Sequence, residues 1–118
     1  MSKARILIAE DEALIAMMLE DFVDALDCEV CATVDTVDAA LEMITPSAFD
    51  AAILDVNLKD GEPSWPIADA LDAAGIPFVF TSGGDRDQPP QKHRKKLFLT
   101  KPFSLEKLEK ALDITLAN

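Results

Sequence analysis

The stretch that most constrains the fold is Ala51-Ala52-Ile53-Leu54, a run of small and apolar residues followed directly by Asp55. A continuous apolar run of this length predicts a strand that is buried on both faces, as found inside a parallel sheet. Ligands bind beyond the carboxyl ends of strands in open α/β sheets. Asp55 therefore lies where a reactive group is expected, and its alternative role is that of a turn former or helix cap.

The rest of the chain alternates strands and helices around this run. Four further strand-like segments are predicted, at 5–9, 28–34, 76–81 and 97–100. Segments with helical periodicity follow Glu12, Thr36, Ser64 and Ser104. This alternation predicts an α/β protein with a doubly wound five-stranded parallel sheet. Right-handed crossovers favour the flavodoxin-like strand order 2-1-3-4-5.

A shortened or irregular fourth helix is predicted between the fourth and fifth strands. Pro89-Pro90 interrupts residues 84–96, and a proline inside a helix costs about 3 kcal/mol. Residues 91–96 then have no apolar side chain to bury, so we expect this segment to open easily. The basic run Lys92–Lys96 is interpreted as a solvated surface that moderates the net charge, or alternatively as a docking patch for an acidic partner.

The charge balance limits the partners of this protein. The chain has 118 residues, with 11 basic and 22 acidic side chains and a net charge of -11. Such a surface repels nucleic acid and anionic membranes. The sequence has no apolar run that would span a bilayer and no basic-then-apolar leader. We expect a single cytoplasmic domain with no nucleic-acid partner and no membrane insertion.

The two cysteines, Cys28 and Cys31, have the spacing of some redox and metal sites. They fall on a predicted strand, however, where residues three apart point to opposite faces. A metal site would also need further ligands. We therefore predict that both are buried cysteines without redox or metal chemistry.

The predicted strand order brings acidic residues from two strands together. Glu10 and Asp11 follow the first strand, which neighbours the third strand and its terminal Asp55. Clustered carboxylates repel each other unless a cation lies between them, and oxygen ligands favour Mg²⁺. The sequence predicts a Mg²⁺ site made by Glu10, Asp11, one Asp55 oxygen and the backbone carbonyl of Asn57.

The ends of the fourth and fifth strands would complete this site with Ser82 and Lys101. The second oxygen of Asp55 would then be a nucleophile for a phosphoryl group. The ammonium of Lys101 and the hydroxyl of Ser82 would balance charge on the transferring oxygens. Thr81 is the alternative source of the hydroxyl, although strand alternation should turn it away from the direction of Ser82.

With these residues at these positions, the chain resembles the response-regulator receiver domain, the CheY-like family. The resemblance covers essentially the whole chain. The resemblance is carried by the acidic Glu10-Asp11-Glu12, the phosphoacceptor position Asp55, the hydroxyl position Ser82, the aromatic switch position Phe98, and Lys101-Pro102, which corresponds to a lysine followed by a cis-proline. The segment 77–84 is similar to the PFxFATG signature of a subgroup of single-domain receivers from alphaproteobacteria. Glu10 and Lys59 depart from the family pattern, which usually has Asp and Pro there.

The resemblance implies a switch that accepts a phosphoryl group from a histidine kinase or phosphotransfer protein and hydrolyses it again. It implies one receiver domain over 1–118 without an output domain, and a downstream protein as a further partner. Asn57 and Gly84 would flank the attacking water and control the phosphorylated lifetime. Leu14 and Met17 are apolar residues that lie off the inner face of the first helix. They are interpreted either as the docking surface for the kinase or phosphotransfer helices, as the resemblance implies, or as scattered apolar surface residues.

Two other functions use some of the same residue types. A phosphohydrolase of the haloacid dehalogenase type has its nucleophile on the first strand and a second aspartate two residues later. Here the acidic pair comes first and the corresponding position is Asn57, which disfavours that family. A pseudo-receiver that docks a partner without being phosphorylated is the remaining alternative.

Overall fold

The computed structural model describes residues 3–83 and 89–117. Within these residues there are five strands and four α-helices. The strands are β1 (Arg5–Ala9), β2 (Glu29–Val34), β3 (Ala51–Asp55), β4 (Phe78–Ser82) and β5 (Phe98–Thr100). The helices are α1 (Ala13–Ala25), α2 (Val37–Met43), α3 (Trp65–Ala74) and α4 (Leu105–Leu116). Among these helices none is long and apolar enough to cross a membrane.

The strands form one parallel sheet in the order β2-β1-β3-β4-β5, which confirms the predicted fold and strand order. β3 lies at the centre, paired with β1 on one side and β4 on the other. All five of its residues are buried, as the apolar run predicted. Its last residue, Asp55, is therefore held at the middle of the carboxyl edge of the sheet.

Alternation along β3 divides its side chains between two cores. Ala52 and Leu54 pack into the core formed with α2 and α3. Ala51 and Ile53 pack into the opposite core, which includes residues of α1 and α4. Because side chains on a strand alternate, Asp55 continues the face of Ile53. The acidic end of β3 thus lies on the α1 and α4 side of the sheet.

Local capping chemistry fixes the ends of the helices. The predicted caps are confirmed at Thr36, whose Oγ1 accepts from the Ala39 N–H at 3.1 Å, and at Ser104, whose Oγ accepts from the Lys107 N–H at 3.2 Å. Ser64 occupies the N-cap position of α3 but makes no side-chain cap bond. Gly75 ends α3 in the left-handed conformation, with φ 73°, which glycine adopts without steric cost.

The connection between β4 and β5 confirms the predicted irregular helix in its described residues. Its described part, 89–97, contains only a 3₁₀ helix at Gln91–His93. The expectation of a solvated basic run holds for Lys92, Arg94 and Lys95, which are exposed. It is wrong for His93, which is completely buried, because α3 and β4 provide a polar and aromatic environment for its ring.

The prediction of buried cysteines is wrong. Both cysteines are free, but Cys28 is only half-buried and Cys31 is exposed. β2 is an edge strand, and its pairing with β1 shifts register so that Ile6 faces Val30 and Leu7 faces Ala32. Cys31 is the extra residue at this irregularity and turns outward.

Candidate functional site

Buried carboxylates lie side by side at the carboxyl ends of β1 and β3. Asp55 is 7% exposed and Glu10, the residue after β1, is 2% exposed. The backbone N–H of Glu12 donates to Glu10 Oε2 at 3.1 Å, and the N–H of Asn57 approaches Asp55 Oδ1 at 3.3 Å. Each carboxylate thus has one oxygen oriented by the loop that follows its strand.

Lys101 links these two carboxylates. Its Nζ lies 3.0 Å from Glu10 Oε1 and 3.1 Å from Asp55 Oδ2, and its backbone N–H donates to the Ser82 carbonyl at 2.8 Å. The peptide bond from Lys101 to Pro102 is cis, as the family resemblance implied. The predicted contributions of β1, β3 and β5 therefore converge on one ammonium group.

Burial and charge act in opposite directions on these groups. Burial raises the pKa of Glu10, and the nearby Asp55 adds to that rise, while the Glu12 N–H and Lys101 partly offset it. Burial lowers the pKa of the Lys101 ammonium, but the hydrogen bonds and charges of Glu10 and Asp55 outweigh this, and the pKa is raised overall. Lys101 is therefore held as a cation at neutral pH.

The donor set at this edge fits a hard divalent cation. Glu10, Asp11 and Asp55 each offer a carboxylate oxygen, and these oxygens all lie within 4.8 Å of one another. Asp11 is exposed and the other two are buried, so the cluster is open to solvent on one side. Lys101 supplies one positive charge against three carboxylates, and oxygen ligands of this kind suit Mg²⁺. Asn57, whose carbonyl was the further predicted ligand, adjoins the cluster through its N–H.

The hydroxyl side chains of β4 are both buried. Ser82 ends the strand and is 6% exposed. Thr81 pairs with Asp55 in the sheet register and is 0% exposed. Its Oγ1 makes no hydrogen bond in the described part of the structure. No sequence pattern indicates this unpaired hydroxyl, because hydrogen bonding depends on the neighbours that the fold supplies.

Phe98, the predicted switch residue, lies at the start of β5 and is partly buried. Its ring stacks on that of Phe80, with centroids 4.8 Å apart. Gly84, the second residue predicted to control lifetime, lies outside the described residues. On the outer side of α1, Leu14 is 82% exposed and Met17 is 60% exposed, which leaves an apolar surface one turn beyond the acidic cluster.

Sequence reasoning missed a second polar cluster next to β4. Asp69 and Asp72 of α3 contact His93 together with Lys92 and Lys96. The available signal was the spacing: two acids three residues apart on one helix, and cations at 92 and 96 in the basic run. That pattern predicts contact only if the two segments are known to pack together.

Solved receiver structures resemble this chain over almost its whole length. The chain is 51% identical to SdrG from Sphingomonas melonis Fr1, and its fold matches that solution structure with a TM-score of 0.87 over 98% of this chain and 99% of SdrG. The BeF3-activated conformation of SdrG from Pseudomonas melonis Fr1 matches with a TM-score of 0.81, at the same identity and coverage.

A more distant relative has the same fold. The receiver domain of the response regulator PhyR from Erythrobacter litoralis is 25% identical, with a TM-score of 0.80 over 98% of this chain and 92% of that domain. Neither family models nor curated proteins gave a match. At 51% identity over nearly the full length of both chains, and with the acidic cluster, Ser82 and Lys101 at the carboxyl edge of the sheet, this chain belongs to the response-regulator receiver domains.

Proposed function

We propose that this protein is a phosphorelay switch that accepts a phosphoryl group on Asp55 from a histidine kinase or a histidine phosphotransfer protein. The observation that carries the proposal is the convergence of Glu10, Asp55 and Lys101, with Nζ to oxygen distances of 3.0 and 3.1 Å. A buried aspartate with one oriented ammonium is suited to nucleophilic attack on phosphorus. The BeF3-activated conformation of SdrG supports this proposal, because BeF₃⁻ is a tetrahedral mimic of a phosphoryl group.

The transfer is a displacement at phosphorus. An Asp55 oxygen forms the new bond as the bond between phosphorus and the donor's histidine nitrogen breaks, and that electron pair stays on the nitrogen. Lys101 and the Ser82 hydroxyl would balance charge on the phosphoryl oxygens. Glu10, Asp11, Asp55 and the Asn57 carbonyl would hold Mg²⁺, which when bound supplies further positive charge to those oxygens.

Return to the resting state is hydrolysis. A water oxygen bonds to phosphorus, the bond to the Asp55 oxygen breaks, and inorganic phosphate leaves. Asn57 and Gly84 are proposed to flank the path of this water and so to set the phosphorylated lifetime. The protein would act in the cytoplasm through its receiver domain, and it would pass its state to a downstream protein. Leu14 and Met17 are proposed as the docking surface for the kinase or phosphotransfer helix.

The test is phosphorylation by a small donor such as acetyl phosphate. Wild-type protein with Mg²⁺ should gain one phosphoryl group by mass, and Asp55→Asn should gain none. Asp50→Asn is the matched control, since Asp50 precedes the same strand. Uptake by Asp55→Asn at the wild-type rate, or uptake that is unchanged by a chelator, would refute the proposal. Absence of uptake in wild-type protein would favour a pseudo-receiver that docks without phosphorylation.

A further inference from the structure

A histidine lies completely buried in the connection between β4 and β5. His93 is 0% exposed, although its neighbours Lys92 and Arg94 are exposed. A buried polar ring in such a basic segment requires specific partners, because an unpaired polar group costs free energy on burial. These partners come from α3 and from the sheet, so His93 connects the irregular segment to the body of the protein.

Two aspartates one turn apart on α3 lie beside His93, but only Asp69 is hydrogen-bonded to its ring, and Nδ1 has no hydrogen-bond partner in the described structure. Its Nε2 lies 2.8 Å from Asp69 Oδ1, and its Nδ1 lies 3.6 Å from Asp72 Oδ2. The flanking lysines contact the same carboxylates, with Lys92 at 2.9 Å from Asp69 and Lys96 at 2.9 Å from Asp72. Three residues of one segment are therefore tied to two residues of one helix.

The aromatic partners of His93 lead toward the phosphorylation site. Its ring centroid is 6.2 Å from that of Phe78, 6.1 Å from that of Phe80 and 6.5 Å from that of Trp65. Phe80 in turn stacks on Phe98. Phe80 also lies two residues before Ser82 on the same strand. His93, Phe80 and Phe98 thus form a continuous row of rings beside the end of β4.

This row restricts movement at the site. Protein interiors are close-packed, so Ser82 cannot shift and Phe98 cannot turn inward unless Phe80 and the rings around it adjust. Among the rings that contact Phe80, His93 is the one fixed by a carboxylate on another element, that of Asp69. Its polar contacts therefore oppose the rearrangement that phosphorylation of Asp55 would require.

We infer that His93, held by its hydrogen bond to Asp69 and flanked by Asp72, is a further positioning residue for phosphorylation, which restrains Phe80 and Phe98 in the resting arrangement. The inference rests on the proposed function. A contact that exists mainly in the resting arrangement favours that state, and a ligand of the activated state must overcome it. While the resting state predominates, removing the contact strengthens binding of an activating ligand by the same factor as it shifts the conformational equilibrium.

The experiment measures BeF₃⁻ affinity in the presence of Mg²⁺ for Asp69→Asn combined with Asp72→Asn. We expect BeF₃⁻ to bind the double variant about fivefold more tightly than wild type, which is the low end of the usual factor by which one site changes the affinity of another. Phosphorylation by acetyl phosphate should accelerate in parallel. Asp38→Asn is the matched control, an exposed helical aspartate that should leave the affinity unchanged. Asp69→Glu, which keeps a carboxylate, should stay near wild type. Equal or weaker BeF₃⁻ binding in the double variant would overturn the inference.

Amide exchange separates failure of this inference from failure of the proposed function. In the resting protein, exchange at 89–97 should be faster in the double variant than in Asp38→Asn. Unchanged exchange would overturn the restraint, whatever the phosphorylation result. If wild-type protein neither binds BeF₃⁻ nor takes up phosphate, the proposed function fails, and faster exchange would still support His93 as the anchor of this segment.

Discussion

Lys101 is the residue that allows two carboxylates to lie buried beside each other. Glu10 and Asp55 contact the same ammonium, which offsets both the cost of burial and their mutual repulsion. Breaking a buried ion pair by removing one partner is strongly destabilising, because a charge is then left uncompensated. The replacement of the family's usual aspartate by Glu10 is compatible with this contact, because its longer side chain still brings Oε1 to 3.0 Å from Lys101 Nζ.

Thr81 presents the opposite situation, a buried hydroxyl with no partner in the described structure. An unsatisfied buried polar group costs roughly 1–3 kcal/mol, whereas an apolar group of the same shape avoids that cost. We predict that Thr81→Val increases the free energy of unfolding by about 1 kcal/mol, measured by urea denaturation. Phosphorylation of Asp55 should be unchanged, because Ser82 and not Thr81 is the proposed hydroxyl.

Thr100→Val is the control for this substitution. It makes the same chemical change at an exposed position on the neighbouring strand, so its stability should change little. A loss of stability in Thr81→Val would show that the Thr81 hydroxyl is hydrogen-bonded in solution. A loss of phosphorylation would assign the hydroxyl role to Thr81.

At the scale of elements, the described part of the β4–β5 connection is held by contacts with α3. Its stability depends on the ionised carboxylate of Asp69. Hydrogen bonds from Lys92 and His93 hold the pKa of Asp69 below its ordinary value of 3.8. A depressed pKa stabilises the folded state above the unfolded value, and this contribution is lost as the pH falls through the folded value.

We therefore predict a pH-dependent effect of Asp69→Asn. The variant should unfold at lower urea concentration than wild type near pH 7, and the difference should shrink as the pH falls below 3.8, where wild type also loses the charge. Asp38→Asn should cause a smaller loss near pH 7, because no ion pair is formed by Asp38 within the described residues. A difference for Asp69→Asn that stays constant down to pH 3 would contradict the assignment.

At the scale of the whole molecule, the excess of acidic residues acts against compactness. A net charge of -11 on 118 residues repels itself, and salt screens that repulsion. We predict that the melting temperature rises between 20 mM and 300 mM NaCl. The comparison is Asp24→Lys combined with Glu42→Lys, at two exposed sites. Each substitution changes the net charge by +2, so the net charge goes from -11 to about -7. The salt-dependent rise in melting temperature should then be smaller. A melting temperature that falls with salt would show that local ion pairs outweigh the net repulsion.

The sequence by itself determined the fold and the main site. Apolar runs at 5–9 and 51–54 predict buried strands from local periodicity, and the carboxyl ends of parallel strands necessarily share one edge. That is sufficient to bring Glu10, Asp55 and Lys101 together, since their positions depend only on strand ends and strand order. The caps at Thr36 and Ser104 were also predictable, because a cap bond is made within one turn of the helix.

Only the tertiary structure decided which polar side chains are buried and what they contact. His93 lies within a basic run that local chemistry predicts to be solvated. It is buried instead, because α3 supplies Asp69 as a hydrogen-bond partner and β4 supplies aromatic rings that pack against it. Cys31 is exposed because the pairing of β1 and β2 shifts register there. In each case burial depends on residues far away in the chain, whose approach cannot be derived from local spacing.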